Sequence, residues 1–111
     1  MKHTLAFFMA LIGSLWMNNV YSAYAAVGPA NITFIENGWY GEGFAIHLTQ
    51  GIAGCGAPPT EFGIAASHPA YKELVALLMS AYFTEKPIEV VVNTGNCTLG
   101  ARTAITSIRL R

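Results

Sequence analysis

Five short segments of alternating or β-branched apolar residues, a single helix-period segment between the third and the fourth, and Gly- or Pro-rich breaks between them predict a mainly β domain with one helix, ordered β-β-β-α-β-β. That order is the arrangement of a five-stranded OB-like barrel, a small, partly open Greek-key barrel. An α+β sandwich with the helix on one face is the competing architecture.

The first residues stand apart from this pattern. Met1-Lys2-His3-Thr4 precedes an apolar run from Leu5 to Met17, and a small-residue stretch follows, ending in Ala23-Tyr24-Ala25. A basic start, an apolar run too short to span a bilayer and small residues at minus three and minus one are the parts of a secretory leader. Residues 1–25 are expected to be a signal peptide cleaved after Ala25, and residues 26–111 a single small domain. The expected location is periplasmic or secreted, with no membrane contact after the leader is removed.

The strands follow in order. Ile32 and Phe34 alternate with Asn31 and Thr33 in a first strand over 30–35. The turn Asn37-Gly38-Trp39-Tyr40-Gly41-Glu42-Gly43 leads into a second strand, where Phe44, Ile46 and Leu48 alternate with Ala45, His47 and Thr49, and the pair reads as a hairpin. Residues 50–60, with Pro58-Pro59, form a loop carrying Cys55. A third short strand occupies 61–66.

Residues 69–85 carry the helix. Tyr71, Leu74, Val75, Leu78 and Tyr82 recur at helical spacing, Pro69 sits where a missing N–H is harmless, and Pro87 ends the segment. The β-branched run Val90-Val91-Val92 marks a buried fourth strand over 88–93, and Gly95-Asn96-Cys97 is expected to turn the chain. In the last strand, 103–110, Ile105 and Ile108 fall out of phase, which predicts a bulge.

Composition narrows the function. The chain has 111 residues, 53% apolar and 11% charged, with six basic and six acidic side chains. Unclustered basic residues at zero net charge give nucleic acid little to bind, so none is expected as a partner. A domain this small has a thin core, and a covalent or quaternary supplement is expected.

Cys55 and Cys97 are the only cysteines, and in an exported chain they predict a disulfide; a reactive or metal-binding pair would call for C-x-x-C or histidine spacing that is not there. The quaternary supplement is read from the helix, where Leu77, Met79 and Phe83 extend the apolar surface beyond one stripe. These residues are expected either to mediate self-association, giving a homo-oligomer, or to be covered by neighbouring loops.

From Pro69-Ala70-Tyr71-Lys72 through Ala76-Leu77-Leu78-Met79-Ser80-Ala81 and Lys86-Pro87-Ile88-Glu89-Val90 to Cys97 and Ile105-Thr106-Ser107-Ile108, the chain resembles a group of small exported bacterial proteins of unassigned function. More remotely it is similar to the B subunit of the subtilase-type AB5 toxins. The resemblance spans roughly residues 61 to 110. It implies an OB-type barrel, and suggests ring assembly and glycan binding as expectations.

Catalysis is not expected. There is no aspartate, and His47 and His68, in a strand and at a helix start, have no acidic neighbour in sequence and read as surface or capping residues. Glu36 and Glu42 flank the aromatic turn and read as solvated charges. The glycines at 38, 41 and 43 precede a strand and not a helix N-terminus, so they are turn residues. No metal and no cofactor is implied.

The recognition candidates are Trp39 and Tyr40, two aromatic rings between glycines on a turn, which either cap the barrel end or stack on a partner. The expected function is a non-catalytic exported binding module holding a glycan or an exported protein. The alternative is a structural or accessory subunit of an exported complex.

Overall fold

The computed structural model describes residues 23–38 and 41–110. The expected leader through residue 22, and both Trp39 and Tyr40, lie outside them. The described chain is mainly β with a single helix: β1 (Tyr24–Ala30), β2 (Ile32–Glu36), β3 (Gly43–Leu48), β4 (Glu61–Ala65), α1 (Tyr71–Thr84), β5 (Ile88–Thr98) and β6 (Arg102–Leu110). The strands form one mixed sheet in the order β1-β5-β6-β4-β3-β2, antiparallel throughout except for the β4/β6 pair.

Two expectations need correction. The sheet has six strands rather than five, and β1 and β2 are its unjoined edges, so it is not a closed barrel. The extra strand is formed by residues 24–30, of which the first two fall within the expected leader. Tyr24 and Ala25 pair with Asn93 and Val92, and the Ala23 carbonyl accepts hydrogen bonds from the Thr94 backbone N–H at 2.6 Å and its hydroxyl at 3.0 Å.

β1 and β2 are separate because the ladder breaks between them. Pro29 has no N–H to donate, Gly28 has a φ of +123°, and the register slips between Val27 and Ala30. Asn31 then turns its N–H to the Thr49 hydroxyl. The two edges of the sheet are thus formed by consecutive pieces of chain.

The second correction concerns Gly95-Asn96-Cys97, which lies inside β5. Cys97 pairs with Thr103 and Asn93 with Ala104, leaving Thr94, Gly95 and Asn96 as a wide bulge, and the chain turns instead at 99–101. Leu99 and Gly100, at φ +49° and +83°, supply the left-handed residues of that turn. The bulge expected between Ile105 and Ile108 is present: Val92 pairs with Ile105 and Val91 with Ser107, so Thr106 is the extra residue.

The core lies between one face of the sheet and α1. Phe44, Ile46, Phe62, Ile64, Val90, Val92 and Ile105 meet Leu74, Leu78 and Ala81 of the helix, all of them buried. α1 starts at Tyr71, after Pro69, and its end is capped by Glu85 in the left-handed conformation. Tyr71 and Val75 pack at the edge of the core, and Ala81 is fully buried.

Candidate functional site

The Cys55–Cys97 disulfide is present and joins residues 42 apart. It ties the 49–60 loop to the end of β5. The Cys55 N–H also donates to the Thr103 hydroxyl, and Ala57 N–H to the Ala101 carbonyl, so the tip of the β5–β6 hairpin is held from outside the sheet. The same tip folds across the outer face of β3 and β4. Leu99 lies over Gly43 and Gly63, and a Cβ at Gly63 would meet the Leu99 Cδ1 at 3.1 Å and the Thr98 Cγ2 at 3.0 Å.

Beside Leu99 is a network of charge that the sequence did not reveal. His47 of β3 is paired with Glu61 of β4 and with Phe34 of β2, and residues facing one another across a ladder share a face. The His47 Nε2 lies 2.9 Å from Glu61 Oε1 and 3.9 Å from Glu36 Oε1. That nitrogen is buried and makes no hydrogen bond of good geometry. Arg102, first residue of β6, donates through Nη2 to Glu36 and through Nη1 to the Leu99 carbonyl at 2.9 Å.

Four strands therefore contribute to one polar network, whose Glu36 lies three positions before Trp39 in the chain. Two carboxylates and one guanidinium thus meet around the His47 ring. Phe34 lies over the imidazole with ring centroids 4.1 Å apart and remains 43% exposed. The result is an aromatic surface beside fixed hydrogen-bonding groups.

The network is on an open face and not in a cleft. Its charged residues line neither the groove of about 630 Å³ between β2 and the end of α1 nor the trough of about 470 Å³ between β4, β5 and β6. His68, by contrast, behaves as read from the sequence: its Nδ1 accepts the Ala70 N–H ahead of α1. His47 has no acidic neighbour in sequence but has two in the sheet, Glu36 and Glu61, which lie 11 and 14 positions away in the chain.

Glu36 and Glu42 do not face each other as a solvated pair. Glu36 is turned to Arg102, and the Glu42 carboxylate packs beside Gly38, whose φ of +82° opens the turn. Leu77, Met79 and Phe83 are all on the exposed side of α1, uncovered by loops among the described residues, with Phe83 71% exposed.

No helix among the described residues is long and apolar enough to cross a membrane, and no cluster of three metal-ligating side chains occurs among them. Comparison with protein-family models, with curated proteins and with solved structures finds no match.

Proposed function

We propose that the chain is an exported, non-catalytic binding module whose site is the outer face of β2, β3 and β4 together with the 37–42 and 99–101 turns. The observation that carries this reading is the exposed Phe34 ring beside the Glu36–His47–Glu61–Arg102 network, close in the chain to Trp39 and Tyr40. Rings that offer a flat apolar surface beside carboxylate acceptors and a guanidinium donor suit a sugar, which has an apolar face and a rim of hydroxyls. A glycan is accordingly the favoured ligand, and an exported protein the other.

The architecture supports this by analogy. Because only Asn31 separates β1 from β2, we take the two as halves of one bent first strand, which makes the strand order that of an OB-type Greek key. In that fold the ligand surface is the face of the second and third strands with the adjoining loops, here β3, β4 and the two turns. The disulfide suits an oxidising compartment, and it leaves neither cysteine free as a nucleophile. An accessory subunit of an exported complex is the second reading, favoured by the bare helix face.

A glycan array probed with the purified chain, and with Trp39→Ala and Phe34→Ala, tests the site. Loss of binding in both variants with unchanged far-UV circular dichroism is expected. A blank array, or binding that both variants retain, contradicts the glycan reading.

A further inference from the structure

We propose that Asn37 is a site of spontaneous covalent modification, at which the side-chain amide is lost and a carboxylate appears in the 37–42 turn. This change is independent of the ligand proposed above. Asn37 is exposed and follows Glu36, the last residue of β2, so it lies outside the ladder. Gly38 has a φ of +82°, and a Cβ there would stand 2.9 Å from the Glu42 Cδ and Oε1. The turn requires glycine on both counts. That requirement also sets the peptide nitrogen after Asn37 beside a Cα that bears no Cβ to block an approach from the Asn37 side chain.

The reaction needs only the chain and water. The Gly38 nitrogen gives up its proton to solvent and attacks Cγ of Asn37. A carbon–nitrogen bond forms, the side-chain carbon–nitrogen bond breaks, and the amide nitrogen leaves as ammonia. Water then opens the cyclic imide at either carbonyl. Opening at Cγ leaves an ordinary aspartate, and opening at the backbone carbonyl leaves an isoaspartate, whose main chain is longer by a methylene. Either product puts a third carboxyl group into residues 36–42, which hold Glu36 and Glu42 and no basic side chain.

Asn31, Asn93 and Asn96 are poorer sites. Ile32 and Thr94, which follow the first two, are β-branched and crowd the attacking nitrogen. At Asn93 that nitrogen donates to the Ala23 carbonyl at 2.6 Å, and the Asn93 Oδ1 accepts the Gly95 N–H at 2.9 Å. Asn96 precedes Cys97, which the disulfide fixes inside β5.

Peptide mapping by mass spectrometry of the purified disulfide-bonded chain, held at pH 8 and 37 °C and sampled over weeks, tests the site. A glutamate-specific protease cuts after Glu36 and Glu42 and frees a fragment whose one asparagine is Asn37. That fragment should take the mass of the acid and resolve into two products, aspartate and isoaspartate, roughly tenfold or more faster than fragments bearing Asn31, Asn93 or Asn96 change. Conversion should slow at pH 5, since ring closure needs the nitrogen deprotonated, and Asn37→Ser should keep one charge form on isoelectric focusing. An unchanged 37–42 fragment, aspartate as the sole product, equal conversion at Asn31, Asn93 or Asn96, or an acidic form that still grows in Asn37→Ser would each overturn the proposal.

Discussion

Arg102 at the start of β6 donates a hydrogen bond to Glu36 at the end of β2, 66 residues earlier, and so anchors the end of β2 to the tip of the β5–β6 hairpin. Both side chains are largely buried, at 12% and 26% exposure. Arg102→Met leaves Glu36 facing His47 and Glu61 without its main cation and should cost about 2 kcal/mol. Urea unfolding of Arg102→Met, Glu36→Gln and the double variant checks this. The double variant should lose less than the two single losses combined, because one interaction is being removed twice.

Leu99 over Gly63 gives a second prediction. A methyl group at Gly63 meets Leu99 and Thr98 at distances tighter than ordinary contact, so Gly63→Ala should destabilise by about 1–2 kcal/mol. In a Leu99→Ala background most of that loss should disappear. If the two substitutions add fully, Leu99 does not cover the glycine.

The disulfide contributes through the unfolded chain. Closing a loop of 42 residues removes entropy equivalent to about 4 kcal/mol in the chain-entropy model. Native protein should show no thiols toward a thiol reagent, and Cys55→Ala/Cys97→Ala should lower the urea midpoint by a corresponding amount. Full thiol reactivity before unfolding would be inconsistent with the staple.

The start of β1 supplies a further test. A chain beginning at Ala23 keeps both hydrogen bonds from Thr94 and the Tyr24 and Ala25 pairings, whereas one beginning at Ala26 loses them all. The longer form should be more stable by about 1–3 kcal/mol. The two can be made side by side and compared by thermal unfolding.

The sequence was informative where a pattern is local. Alternation placed β2, β3 and β4 within a residue or two, helical spacing and Pro87 placed α1, and the two out-of-phase isoleucines located the β6 bulge. It did not reveal β1, where small residues over 24–30 carry no alternating apolar pattern. It failed again at Gly95, because a glycine that marks a turn also serves a bulge.

The site was half legible. Trp39 and Tyr40 stand out because aromatic residues between glycines are unusual, but His47 with Glu36, Glu61 and Arg102 is assembled by strand pairing alone. No spacing along the chain joins Glu36 to Arg102. Only the register of β2 on β3 and β3 on β4, with β6 beside β4, brings them together.

The most direct test of the binding-module reading is an amide chemical-shift titration of the ¹⁵N-labelled chain with the strongest ligand from the glycan array. The account predicts shifts confined to residues 34–47, Glu61 and the 99–102 turn. Saturable shifts centred instead on the trough between β4, β5 and β6, or no shifts at all, would contradict it.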